Sequence, residues 1–445
     1  MQRSESLFEP GRVAHSLLGF YALASLTSMA GMSVGIGLVL IGVLTGLGLS
    51  SAFRAQFLFS ARSAFQARSV KTLLFLTLFL VLSLVASLIS YQVAPVRLLQ
   101  DEDKVAVSRD LGKLLYFVFP FLWVTLFGML SQARKKQVLG VWCFSGGALG
   151  VFAIFQFFTG FPRPQPIPTS PQFFHATLLF GHHLSTASIL IFPAFVALAL
   201  AQATAGSSHL HAALWRFLMS SRFWVLCGVG AFLALFLSFS RMAWIAIPMG
   251  LCLLMLRRFE FRKLSAARVG IGFVFVVLGA LVLWQTPALQ ERVRNPMGIA
   301  TRLELWKWNL ELFQERPIFG IGWRRSEVFA HALVKERFPD PEMRRQIFVG
   351  HAHNNWIEML SGTGVLGLLA WCLYAFFPIW VGWRDRRVES WMGALSWGLI
   401  CAWIVFLLNG LTQVNFWEGK VMHQWAFGLG LFLVTRVELE KRGGV

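Results

Sequence analysis

The sequence predicts an all-α polytopic integral membrane protein of about twelve transmembrane helices, with one long outer loop that carries short amphipathic helices. Three observations predict it. Hydrophobic residues make up 56% of the 445 and charged residues only 14%, against about a quarter charged in soluble domains. Mean hydropathy is +0.62. Mostly apolar windows, roughly 17 to 25 residues being the length that crosses hydrocarbon, recur at 14–30, 31–50, 72–94, 114–131, 138–158, 183–203, 223–239, 242–256, 269–286, 357–383, 391–410 and 421–436. The implied organisation is a bundle over 1–286 with about nine spans, a loop over 287–356, and about three further spans over 357–445.

The first span does not read as a cleavable signal peptide, because Glu5 and Glu9 stand beside Arg3 and Arg12 and a second span follows at once. The formal charge of +19 would suit a nucleic-acid partner, but the cations lie between apolar spans rather than on one soluble face, so no nucleic acid is expected. Membrane lipids are the expected surroundings instead. Short Lys/Arg-rich connections stay cytoplasmic. They occur at Arg54, Arg62, Arg68 and Lys71; at Arg134, Lys135 and Lys136; at Arg257, Arg258, Arg262, Lys263 and Arg268; and at Arg384, Arg386 and Arg387. This places both termini inside and 95–113, 159–182, 240–241, 287–356 and 411–420 outside.

Cys143, Cys227, Cys252, Cys372 and Cys401 all lie in apolar spans without a CxxC pair or a histidine at zinc-ligand spacing, so they read as small core residues. The segment 95–113, with Asp101, Glu102, Asp103 and Asp110 among its charges, reads as a solvated loop. Gly31 with Gly35, Gly42 with Gly46, and Gly146 with Gly150 have the four-residue spacing that lets membrane helices approach closely.

Segment 159–182 is too rich in proline for a regular helix and should run extended or turned at the outer surface. Arg163, His175, His182 and His183 lie in or beside it. Each alone fits an interfacial polar residue; together they could contact an acceptor. Arg241 sits in LSFSRMAWIAI with essentially no loop around it. An ionisable group at membrane depth usually faces a polar cavity or a partner. The alternative is an arginine that snorkels from a tight turn.

In the long loop, Thr301 and Glu304 fit a capping box that opens a helix. Leu303, Trp306, Leu310 and Phe313 then form its apolar face. Arg302 would occupy the first turn, where free amides and the helix dipole favour an anion, or else it touches lipid headgroups. The helix should end near Arg316-Pro317, with a turn at Gly320-Ile321-Gly322-Trp323. A second short helix begins at Asp340-Pro341 and carries Arg344 and Arg345, which with Arg324 and Arg325 read as solvent or headgroup contacts.

The stretch GHAHNNWIEMLSGTGVLGLLAW, 350–371, carries the chemistry. His351 and His353 would share one side of an extended segment. Two histidines without a third ligand make a weak zinc site, and a histidine poised near neutral pH suits a general base better. Asn354 and Asn355 could bind a sugar hydroxyl or cap the helix that starts near Trp356. Trp306 and Trp356 could stack on a sugar or simply mark the interface. Gly362-Thr363-Gly364-Val365-Leu366-Gly367 matches GxGxxG, but no strand precedes it and a membrane span follows, so no dinucleotide site is read.

The outer HxHN, the apolar TGVLGLL after it, TRLELWKWNLELFQERPIFGIGW before it and SFSRMAW earlier together resemble the O-antigen ligase and polymerase superfamily, which includes bacterial protein O-oligosaccharyltransferases. The resemblance spans roughly 170–440. It implies a glycosyltransferase of the bacterial inner membrane that takes a glycan from undecaprenyl pyrophosphate at the periplasmic face, without metal or other cofactor. Arg241, Arg302 and His353 match the family's functional positions, with His351 the less secure of the two histidines. Chain length and span count look most like a ligase that uses lipid A-core oligosaccharide as acceptor; polymerase and protein transferase are the alternatives. A transporter using Arg241 would show paired inverted halves, and no such repeat is seen.

Overall fold

The computed structural model describes residues 9–93, 107–167, 170–204, 220–257, 297–347 and 349–443. The expected span 269–286, the charges Asp101, Glu102 and Asp103, and the basic run from Arg258 to Arg268 lie outside those residues. Among the described residues fifteen helices and a short hairpin carry the fold. The first half contributes α1 (Pro10–Ala24), α2 (Met29–Leu49), α3 (Ser51–Gln66), α4 (Arg68–Val93), α5 (Phe119–Gly128) and α6 (Gln132–Thr159). A hairpin of β1 (Pro166–Ile167) and β2 (Ser170–Phe174) pairs antiparallel within the proline-rich segment, the extended geometry its composition requires. Then come α7 (His183–Thr204), α8 (Ser221–Leu237), α9 (Arg241–Met255), α10 (Met297–Glu315), α11 (Ser326–Arg337), α12 (Pro341–Gln346), α13 (Asn355–Gly382), α14 (Trp391–Asn409) and α15 (Gly419–Lys441).

Among the described residues six helices are long and apolar enough to cross a membrane: α2, α4, α6, α7, α13 and α14. Gly112–Gly128, α8 and α9 are shorter apolar helices. Their ends are set locally. Ser28, Ser50, Ser131, Ser220 and Ser390 cap α2, α3, α6, α8 and α14 by accepting a backbone N–H from the first turn. The outer faces of α2, α4, α6 and α13 leave Ile41, Leu44, Phe75, Leu82, Val151, Phe158, Leu369 and Trp380 exposed. So much apolar surface would be a liability in water, whereas a bilayer covers it at no cost. The chain is a multi-pass, all-α membrane protein. Within the bundle the backbones of α6 and α8 touch so closely that a Cβ on Gly150 would lie 2.1 Å from the Gly230 carbonyl oxygen, the small-residue packing that the Gly146/Gly150 spacing predicts.

The segment with Arg54 and Arg62, expected as a mere connection, is the helix α3. It buries Phe53, Ser60 and Ala64 on one face and is too polar to span. Ser60 donates to the Thr125 carbonyl at 2.6 Å. The basic connections gather at one end of the bundle. Lys135 pairs with Glu438 (2.6 Å), Arg436 with Asp385 (2.5 Å), and the Arg68 amide donates to Glu440 (2.8 Å). There too, Arg257 donates to the carbonyls of Val388 and Ser390 (2.9 and 3.0 Å). Asp385 is thereby a structural anion, which accounts for it without any nucleotide.

At the opposite end, the loop residues form a second core in which Tyr91 of α4 packs with Leu305, Trp308, Leu312, Ile321 and Phe329. Two corrections follow. The helix α10 already runs from Met297, so Thr301 is interior rather than a cap and Arg302 lies in the second turn, away from the free amides. The apolar residues at 297, 299 and 300 carry helical geometry upstream of the capping box. Its buried face is also not the expected one. Leu305, Trp308 and Leu312 point to the core, while Leu303 and Leu310 are 54% and 43% exposed on the far side, as on a helix resting against a membrane surface.

A third correction concerns charges. Asp110, in a single helical turn at Ser108–Leu111, is buried and accepts from Arg324 (3.0 Å) and Arg325 (2.6 Å). Neither arginine is a simple solvent contact, and Asp110 is no solvated loop residue. Low dielectric rewards such a pair only when both partners are present, so the pairing pins the loop to the bundle. The rest of the loop follows its sequence. The helix α10 ends at Glu315 before Pro317, and Asp340 caps α12 through the Glu342 amide (2.9 Å).

The glycines of the GxGxxG stretch open α13. Gly364 is non-helical (φ 67°, ψ −169°). Across this break the amides of Val365 and Ile321 donate to the carbonyls of Pro317 and Ser361 (2.9 and 3.0 Å). Ser87 of α4 joins the two strands of backbone, donating to the Gly362 carbonyl and accepting from the Trp323 amide, both at 2.8 Å. A Cβ at 364 would lie 2.2 Å from the Ile318 oxygen, so only glycine fits.

Candidate active site

The segment between the loop core and α13 is held from three sides. Ala352 donates its amide to Glu358 (2.9 Å) and its carbonyl accepts from the Trp306 indole (2.8 Å). Glu358, buried in the first turn of α13, also accepts from Ser326 of α11. The backbone of His353 takes up a left-handed conformation, φ 48°, which histidine tolerates better than most non-glycine residues. Its amide donates to His351 Nδ1 at 3.1 Å. His351 thereby props the left-handed backbone of His353.

Asn354 caps α13 through the amides of Trp356 and Ile357 (2.8 and 3.3 Å), one of the two uses its sequence position allows. Asn355 is corrected from substrate contact to scaffold. It is fully buried, donates to Asn415 (2.5 Å) and accepts from the amides of Asn415 and Phe416 (3.1 and 3.3 Å). Trp356 is likewise turned into the bundle, edge-on to Trp371 with ring centroids 4.8 Å apart, rather than presented to a sugar. Trp306 contributes through its indole N–H, as a brace for the histidine loop.

An open cavity of about 220 Å³ is lined by His182, Leu184, Ser185, His351, His353, Gln413, Glu418 and Lys420. The proline-rich segment thus delivers His182 to the same hollow as His351 and His353. His183 stacks between His175 and His182, with centroids 4.6 and 4.7 Å away, and supports rather than lines the cavity. Arg163 is exposed and lies against Gly181, next to His182. Glu418 accepts from Ser185 and lies 3.7 Å from Lys420, whose ammonium donates to the Phe180 carbonyl at 3.0 Å. Sequence reasoning missed Gln413, Glu418 and Lys420. The available signal was Glu418-Gly419-Lys420, a charged pair in an outer connection otherwise free of charge.

Arg241 is the first residue of α9, directly after a turn in which Phe239 is left-handed (φ 55°). A non-glycine residue in that region is costly by about 1 kcal/mol, and such strain is common where a side chain must be aimed. Arg241 and Arg302 are not among the residues that line the cavity. Burial lowers the Arg302 pKa from its ordinary value and the Arg241 charge lowers it further. His353 is pushed down to about 3 by burial first, then by the charges of His351, Arg302 and His182. His182 is lowered by burial, while Glu418 opposes the shift and Lys420 and His351 add to it. Each charge is thus felt by the next, Arg241 by Arg302, Arg302 and His182 by His353, and Glu418 by His182.

The clamp on Ala352 yields a test. Glu358→Met removes the acceptor of the Ala352 amide and should lower turnover about 10- to 100-fold, the effect of a misplaced reacting group. The expected signature is an altered pH–rate profile with donor affinity unchanged. An unaltered profile would mean that Glu358 only stabilises the fold.

Residues 226–372 match the family model described as O-antigen ligase. The matched stretch contains Arg241, Arg302, His351 and His353, and it is shorter than the resemblance read from sequence. No curated protein matches the chain.

Proposed function

We propose that this chain, which stands in the O-antigen ligase superfamily through its residues 226–372, transfers a glycan from undecaprenyl pyrophosphate to lipid A-core oligosaccharide at the periplasmic face of the inner membrane. The observation that carries the reading is His353, backbone-locked in the lining of an open polar cavity and within the field of Arg302, which in turn feels Arg241. The gathering of basic connections at the other end of the bundle supports an outward-facing site with both termini inside.

In this reading Arg241 and Arg302 hold the pyrophosphate, already a good leaving group that needs its charge stabilised more than it needs a proton. The acceptor hydroxyl enters from the cavity. Its oxygen bonds to the anomeric carbon as the bond from that carbon to the pyrophosphate oxygen breaks, and the hydroxyl proton passes to His353. A single in-line displacement inverts the anomeric centre, and no carboxylate nucleophile is needed. Metal-free transfer is part of the proposal, with activity expected to persist in a strong chelator.

Burial first, and then the charges of His351, Arg302 and His182, hold the His353 pKa down. A pyrophosphate anion beside Arg302 opposes the charge part of that shift and raises the pKa, so the imidazole becomes a better base when donor is bound. Free His353 is neutral above about pH 3. The acid limb of kcat, which reports the loaded enzyme, should therefore lie at higher pH than that of kcat/KM, which reports the free one. Coincident limbs would remove the anion-linked base. The same shift affects stability. The unfolded chain, with its histidine near the ordinary value of about 6.5, binds more protons between the two pKa values, so His353 makes folding less favourable as pH falls through that window.

The deciding experiment incubates purified protein with lipid pyrophosphate-linked glycan and, in parallel, lipid A-core oligosaccharide, a second donor molecule, or a carrier protein. Sugar gained by lipid A-core supports the ligase; sugar gained only by the donor glycan makes the chain a polymerase, and gain by the protein makes it a protein transferase.

A further inference from the structure

The cavity holds two polar groups that the donor chemistry leaves unused. Gln413 is 2% exposed, and its amide oxygen accepts from Asn409 at 3.4 Å, which leaves its NH₂ as the donor. That buried nitrogen makes no hydrogen bond among the described residues. Burying an unpaired amide donor costs roughly 1 to 3 kcal/mol, so such a group calls for a partner. Glu418 stands at the start of α15 without capping it. One carboxylate oxygen is taken by Ser185, and the other has no hydrogen bond among the described residues. Both residues line the same hollow as His353 and His182.

We propose that Gln413 and Glu418 form the acceptor subsite: a sugar hydroxyl of the acceptor donates to Glu418 and accepts from Gln413, which places a neighbouring hydroxyl at His353. A hydroxyl is the ligand that needs one donor and one acceptor at once. Charge supports the direction. Lys420, 3.7 Å away, offsets the Glu418 charge, so that end offers an anion little net attraction; the donor's phosphates belong at the Arg241/Arg302 end and an uncharged saccharide at the Glu418 end. His353 then stands between the two, where the proton must move.

The inference rests on the glycosyl-transfer reading above, and the test separates the two. Wild type, Gln413→Met and Glu418→Gln are assayed at saturating lipid pyrophosphate-linked glycan with lipid A-core oligosaccharide varied, and donor binding is measured separately on each protein. Acceptor KM should rise about 10- to 100-fold, the effect of one lost hydrogen bond to a charged or buried partner, with donor affinity unchanged. The exchange variant Gln413→Glu/Glu418→Gln, which restores one donor and one acceptor in swapped places, should recover acceptor KM relative to Gln413→Glu alone, which sets two carboxylates together. Unchanged acceptor KM, or a matching loss of donor affinity, overturns the subsite. Failure of the wild type to glycosylate lipid A-core overturns the ligase reading instead, and the same variants are then assayed with donor glycan as the varied acceptor.

Discussion

His353→Ala abolishes glycan transfer, by at least about a thousandfold, while the protein still inserts, folds and binds the lipid pyrophosphate donor. General-base catalysis alone contributes about 10²- to 10⁴-fold, and His353 also has no substitute in reach. His351 commits its Nδ1 to the His353 amide at 3.1 Å, and His182 lies on the acceptor side with Glu418 and Lys420. His351→Ala should then be milder in kind as well as degree. It releases a left-handed backbone and lowers turnover without removing the proton acceptor. Assaying both variants in proteoliposomes, with donor binding as a control, distinguishes the roles. Near-normal transfer by His353→Ala would sink the base assignment, and equal, complete loss in both would leave it no better placed than His351.

The parts of this molecule governed by local physics were legible in its sequence. Apolar windows gave most of the helices, Asp340-Pro341 gave the start of α12, Pro317 the end of α10, and Asn354 a helix cap. The GxGxxG glycines, read as a break and a close approach rather than a nucleotide loop because no strand precedes them, do break α13 at Gly364. What sequence could not supply was long-range pairing. Asp110 looked solvated until Arg324 and Arg325, more than two hundred positions away, closed on it. Asn355 looked like a sugar ligand until Asn415 occupied it. The face of α10 was misjudged for a related reason. Its two sides meet different media, protein at Leu305 and Leu312 and a membrane-like surface at Leu303 and Leu310, and both media accept leucine. Periodicity finds an apolar stripe, but it cannot say which of two apolar stripes is inside.

Arg302→Ala should separate stability from function. Burial is the larger cause of the lowered pKa of Arg302 and of His353, and repulsion between Arg241, Arg302 and His353 adds to it; removing Arg302 relieves both a buried charge and that repulsion, so the unliganded protein should melt at the same temperature as wild type or higher. Function should move the other way. A charge-assisted, bidentate phosphate contact from a preorganised, partly dry site is worth about 3 kcal/mol, a loss of roughly a hundredfold or more in kcat/KM. Arg302→Lys keeps the charge but not the planar fork, and should recover only part of that loss. Inorganic pyrophosphate gives a direct reading: it should raise the melting temperature of wild type in low salt, the gain should shrink as ionic strength rises, and it should vanish in Arg302→Ala. The Arg241→Ala/Arg302→Ala double variant should lose less than the sum of the single losses, since both arginines act on one anion. If Arg302→Ala instead melts lower and keeps the pyrophosphate response, Arg302 is a structural residue of α10, and the anion is held elsewhere.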